Sequence, residues 1–251
     1  MAGQEEQDRE VPFISHIREL RKRLINSVIA VLVGFAIAYY FSEEIFKFLF
    51  QPLKDALPEN YKNLYFTGIA EPFFLFLKLA FVAGIFIASP VILYQIWLFI
   101  RPALYEKERK LAILFVVFGS IFFIGGALFG YFLIFPNVFS FFLSFGRDYL
   151  NPIITINDYF SLATSLLLIF GLLFELPLIM FFLINLDILP VEFFRKYRRY
   201  AIVTIVILAA IITPTTDAIT LIMLCVPLVF LYEIGIILSV VYRKIKNSER
   251  T

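Results

Sequence analysis

The chain has 251 residues, 61% of them hydrophobic and 17% charged, with a formal net charge of +2 and a mean hydropathy of +0.88. Soluble domains are about half apolar and about a quarter charged. A core of this size cannot hide the excess from water, so the soluble globular class is excluded.

Apolar stretches near the ~20 residues that cross a bilayer recur along the whole length. The fold class is therefore all-α, a polytopic membrane protein. The opening segment, residues 1–24, is polar and has no apolar run of its own, unlike a cleavable secretion signal. The first span follows at about Leu24–Phe41, the second at Phe73–Phe99, and the third at Leu111–Phe135, ending before Pro136. The fourth is Phe160–Leu186. Tyr200–Ile212 is short, 13 residues, and Thr213-Pro214 ends it. At that length a helix reaches about 20 Å against a hydrocarbon thickness of about 30 Å. Ala218–Tyr242 is longer but interrupted by Pro227 and Glu233. These last two segments read as a short hairpin, which thins the bilayer locally or recruits partners to cover it. Six spans result. Between the first two, Ile45, Phe46, Leu49 and Phe50 recur at helical spacing, which predicts an amphipathic helix along the membrane surface.

Basic residues set the orientation. Residues 1–24, the second and fourth loops and the C-terminal tail carry 17 Lys and Arg, including Arg101, Lys107, Arg195 and Arg243. The opposite side has only Lys47, Lys54, Lys62 and Arg147, and Lys78 lies within the second span. By the positive-inside rule both termini face the cytoplasm. No internal repeat is visible, which argues against an inverted-repeat transporter.

Glu175 sits mid-span in LIFGLLFELPLIM. A carboxylate there costs several kcal/mol unless protonated, paired or wetted, and such acids mark function by default. Its alternative is a neutral Glu bonded to a neighbouring helix. Pro177 predicts a kink beside it. Glu233, a second embedded acid, is open to a bond with a basic tail residue. Lys78 is placed to snorkel outward, and Asp217 to cap a helix start. Glu19 and Glu108 sit among basic residues in HIRELRKRL and ALYEKERK. Two readings stand: an i,i+4 pair such as Glu19 with Arg23, or a paired-carboxylate receptor for a ligand with two guanidinium groups, which fork carboxylates as lysine cannot.

Motifs for catalysis are missing. The sequence has no HExxH, GxSxG, Walker loop or GxGxxG. His16 is the one histidine and Cys225 the one cysteine, so no intramembrane His base, Cys metal site or intrachain disulfide is available. The basic loops are short and already explained by topology, which excludes nucleic-acid binding. A proton-coupled transporter with Glu175 as relay is a rival reading, although few other polar residues face the midplane. An intramembrane enzyme is a poorer one.

Six stretches, HIRELRKRL (16–24), QPL (51–53), EPFFLFLKLA (71–80), ASPVILYQIWLFIRPALYEKERK (88–110), FGLLFELP (170–177) and VPLVFLYEIG (226–235), follow one another in order. With them the chain resembles the TatC family, the multispanning subunit of the twin-arginine protein translocase. The resemblance implies six helices in a concave, glove-like bundle in the cytoplasmic (inner) membrane. It implies a receptor, not an enzyme, with no cofactor and no metal, that binds twin-arginine signal peptides of folded cargo. Export would draw on the proton motive force. Partners would be the single-span TatA and TatB subunits, other TatC copies and membrane lipids.

By the same resemblance Glu19, Arg21, Arg23, Phe99, Tyr105 and Glu108 form the signal-peptide site, with Glu19 and Glu108 holding the two arginines. Glu175 lines the concave face, Pro52 is a sensitive position of the first external loop, and Asp217 belongs to the last external turn. That turn reads TPTTDAITL, one residue longer than TPPDxxSQ in many relatives and with Leu221 in the Gln position.

Overall fold

In the computed structural model, residues 2–57, 64–100, 111–144, 153–185, 188–212 and 218–248 are described. They are helical apart from short turns and one isolated bridge between Tyr65 and Thr155.

The first helix, α1 (Ala2–Tyr40), runs 39 residues from the polar opening segment straight into the apolar run. After Phe41 the chain turns into α2 (Ser42–Ala56), whose apolar face is the one the spacing predicts. Leu49 is buried, and Ile45, Phe46 and Phe50 pack against the core. The face thus docks on the bundle. α3 (Glu71–Ile100) is a single 30-residue helix through Pro90. Proline lacks the N–H that would meet the carbonyl four residues back, and Ser89 Oγ donates to that carbonyl, Phe86 O, at 2.8 Å.

α4 (Leu111–Phe129) passes into a π-helical turn, Gly130–Ile134, and on into α5 (Phe135–Ser144). Helical structure therefore continues past Pro136, where the sequence suggested a stop. Pro136 falls in the first turn after the π turn, where a missing N–H is tolerated. α6 (Ile156–Phe174) is capped by Thr155, whose Oγ1 accepts from Asp158 N at 3.1 Å. It breaks at Glu175 and resumes as α7 (Leu176–Asn185), the kink expected from Pro177. A one-and-a-half-turn α8 (Val191–Lys196) precedes α9 (Arg198–Ile212) and α10 (Ala218–Ser248). Of the closing pair, α9 has 15 residues, about 22 Å. α10 has 31 and carries on through Pro227 into the basic tail.

Five helical stretches are long and apolar enough to cross a membrane, namely His16–Tyr40, Glu71–Ile100, Ile113–Ser144, Ile156–Asn185 and Leu221–Lys244. The chain is an integral membrane protein. Its surface fits that solvent: Leu32, Ile113, Ile121, Leu172, Ile211 and Phe230 are exposed, which costs little against lipid tails.

Small residues set the closest helix contacts. A Cβ on Gly34 of α1 would lie 2.5 Å from Gly84 O of α3, and one on Gly84 would lie 2.6 Å from Phe35 N. α4 and the π turn meet α6 where Gly126 and Gly130 accept Phe170 and Phe174. The main core centres on Ile134, Phe135, Phe160 and Phe170. A smaller cluster at the end bearing the basic segments packs Trp97 edge-on to Phe182 at 5.1 Å, with Phe115 against both.

Candidate functional site

At the basic end, α1 presents Glu19 and Arg23 one turn apart. Arg23 Nη2 donates to Glu19 Oε1 at 3.0 Å, the i,i+4 pair the spacing allows. Their side chains keep 29% and 23% of their exposure, so water screens the pair and its worth is below about 1 kcal/mol. Arg23 Nε is buried without a hydrogen-bond partner among the described residues. One turn before Glu19, the His16 ring stacks on Phe99 at 4.5 Å between centroids. That contact ties α1 to the last turn of α3, so Glu19 and Phe99 share one patch. Arg21 is exposed on α1. Tyr105 and Glu108 lie outside the described residues, as does Asp217.

Deeper in the bundle, Glu175 occupies the α6–α7 break. Its N–H meets Leu172 O at 3.1 Å and its carbonyl accepts from Ile179 N at 2.9 Å. The side chain is 7% exposed, and Oε1 is buried with no hydrogen-bond partner among the described residues. Gly119 of α4 makes the space. A Cβ there would sit 3.4 Å from Glu175 Oε2 and 2.8 Å and 3.0 Å from the Leu93 and Leu178 methyls. The Leu93 and Leu178 methyls flank that space, so the carboxyl group is poised to receive a polar partner that the described residues do not supply.

Separate from Glu175 and farther from the basic segments, an apolar groove of about 430 Å³ lies between α2, α3, α4 and α6, lined by Phe48, Val82, Phe86, Ile124, Leu128 and Leu167.

Pro52 is buried inside α2 and leaves Phe48 O without its helical donor. Tyr131 Oη, from the π turn, donates to that carbonyl at 2.7 Å, and Tyr159 Oη from α6 donates to Leu49 O. Pro52 thus frees the carbonyl that Tyr131 takes up, and the two tyrosines together fasten α2 to the bundle.

Other embedded charges have partners. Glu233 accepts from Arg198 at the start of α9. Lys78 Nζ donates to Ser161 Oγ at 2.7 Å. Sequence reasoning missed Gln95, whose Oε1 is also buried and unpartnered among the described residues. The signal for it was a carboxamide inside the apolar run LYQIWL. It also missed Gly119 and the two tyrosines, whose roles depend on contacts between distant segments.

Residues 15–227 match the family model described as Sec-independent protein translocase protein (TatC). The chain is 44% identical over 238 residues to the Sec-independent protein translocase protein TatC of Desulforapulum autotrophicum, covering 95% of this chain and 87% of that one. It is 38% identical to the TatC protein of Aquifex aeolicus, covering 91% and 95%. A crystal structure of the twin-arginine translocase receptor TatC superposes with a TM-score of 0.75 at 37% identity, over 90% of this chain and 98% of that one. A second, in DDM, gives 0.76 over 89% and 99%. A glove of apolar helices with a buried acid at the α6–α7 break, matched over nearly its whole length, belongs to the TatC family of Sec-independent protein translocases.

Proposed function

We propose that this chain is the receptor of a twin-arginine translocase in the cytoplasmic membrane, with both termini in the cytoplasm. It captures the two arginines of a signal peptide on Glu19 and Glu108, at the patch where His16 stacks on Phe99. The observation that carries the reading is Glu19 itself. Its carboxylate is held at the water boundary by Arg23, a partner weak enough to be exchanged. An incoming guanidinium replaces one charge-assisted bond with a forked one. Arg21 and the displaced Arg23 then face solvent, and Phe99 and Tyr105 flank the bound peptide.

The apolar stretch of the signal peptide follows into the seam groove, whose lining is almost wholly hydrocarbon. Its path passes Glu175. The unpartnered oxygen there suits a polar group brought by the peptide or by a single-span TatA or TatB helix. Pro52, through α2, braces the far end of the groove. Asp217 serves the turn between α9 and α10, beside a helix too short to span unaided. Transport draws on the proton motive force.

Site-specific photocrosslinking tests the docking. Probes at positions 19 and 108 are expected to give adducts with residues flanking the arginine pair of a bound signal peptide. Peptide binding with no adduct from either position would overturn the assignment.

A further inference from the structure

At the end of the bundle remote from the basic segments, α3 and α6 enclose a recess of about 350 Å³ that the signal-peptide reading does not use. Lys78, Asn157 and Ser161 line it, with Glu71 at its mouth and Phe74 and Phe160 as an apolar wall. We propose that this recess binds the headgroup of a phosphatidylethanolamine-type lipid, its phosphate on Lys78 and Asn157 and its ammonium on Glu71.

Hydrogen-bond direction points to an anion on the deep side. Lys78 Nζ donates to Ser161 Oγ at 2.7 Å, and Ser161 Oγ donates to Asn157 Oδ1 at 3.3 Å. Each acceptor of the relay, Ser161 Oγ and Asn157 Oδ1, is already engaged once. Two ammonium hydrogens of Lys78 and the amide hydrogens of Asn157 are donors left over by it. Ion pairs among the described residues do not include Lys78, and a cation inside an apolar span is costly without a counter-charge. A phosphate supplies that charge.

At the mouth the sign reverses. Glu71 Oε2 accepts from Thr67 N at 2.7 Å and Oε1 from Thr67 Oγ1 at 2.6 Å. The turn fixes the carboxylate in place, and each oxygen keeps a lone pair. Glu71 precedes Lys78 by seven residues on one helix, about 10 Å along its axis. The Lys78 side chain leans back toward the helix N-terminus, closing part of that gap. A negative group held deep and a positive group held near water is the polarity of a zwitterionic headgroup. An anionic glycerol headgroup leaves Glu71 facing a phosphate with no cation between. A trimethylammonium cannot donate a hydrogen bond to it. Phe74 and Phe160 receive the first methylenes of the acyl chains. Binding itself is independent of the twin-arginine reading; only the leaflet follows from the proposed orientation.

Native mass spectrometry of the purified, detergent-solubilised protein with equimolar dioctanoyl phosphatidylethanolamine, phosphatidylcholine and phosphatidylglycerol tests this. The ethanolamine lipid is expected to be retained at least about fivefold over the other two. Lys78→Met should lower that retention about fivefold, and Lys78→Arg should keep it. Glu71→Gln should erase the preference over phosphatidylglycerol. Equal or better retention of phosphatidylglycerol by the unmodified protein overturns the proposal, as does unchanged retention in folded Lys78→Met. If Lys78→Met does not fold, Glu71→Gln decides, and an intact preference there overturns it.

Discussion

Glu175 has one carboxylate oxygen buried without a partner among the described residues, and Gly119 leaves the space in which it sits. A buried polar group without a hydrogen bond is destabilising, so this acid is kept against the interest of stability. Glu175→Leu should hold or raise the melting temperature of the purified protein while export of a twin-arginine cargo is lost. A fall in melting temperature with export intact would make Glu175 structural. Tyr131 is the opposite kind of residue. Its hydroxyl meets the carbonyl that Pro52 orphans, so Tyr131→Phe leaves Phe48 O unpaired. The expected cost is about 1–3 kcal/mol in a reversible unfolding measurement, and no change would show that water takes the hydroxyl's place. Glu19 was legible in HIRELRKRL because carboxylates among arginines invite pairing. Glu175 was legible because a charge within an apolar run is conspicuous. Tyr131 and Gly119 were not, since an aromatic and a glycine in such runs look like lipid-facing filler until the contacting helices are known.

At the scale of elements, the α1–α3 crossing depends on two glycines. A side chain at Gly34 would collide with backbone, Gly84 O, at 2.5 Å, and backbone cannot rotate away. Gly34→Val should therefore separate α1 from α3 and cost at least the ~1–3 kcal/mol typical of overpacking. Loss of the His16–Phe99 stack should follow, weakening signal-peptide binding from a distance. Gly34→Val with unchanged unfolding and peptide affinity would contradict the crossing. The helix positions were visible in hydropathy, since a lipid-facing helix must be apolar over a bilayer's width. The continuation of α5 beyond Pro136 was not. Its cause is the π turn at Gly130–Ile134, and no residue pattern announces a register change of that kind. The amphipathic spacing of α2 was plain in sequence, but not that its apolar face docks on α3 and α5 under two tyrosine hydroxyls.

For the whole molecule, topology and recognition stand together, because the acids of the signal site must share the compartment of the basic segments. Cys225 is the one native cysteine, which makes single-cysteine mapping direct. In a Cys225→Ser background, Lys54→Cys should react with a membrane-impermeant thiol reagent on intact cells. Lys196→Cys should react only after lysis, and the reverse pattern would invert the orientation. Recognition is tested most directly by the affinity of a signal peptide whose arginine pair is changed to a lysine pair, measured on the unmodified protein and on Glu19→Gln/Glu108→Gln. Forked carboxylate contacts should make the lysine peptide at least about tenfold weaker on the unmodified protein, roughly 1.4 kcal/mol or more. The two peptides should bind the double variant nearly alike. Equal affinity of both peptides for the unmodified protein would contradict the account.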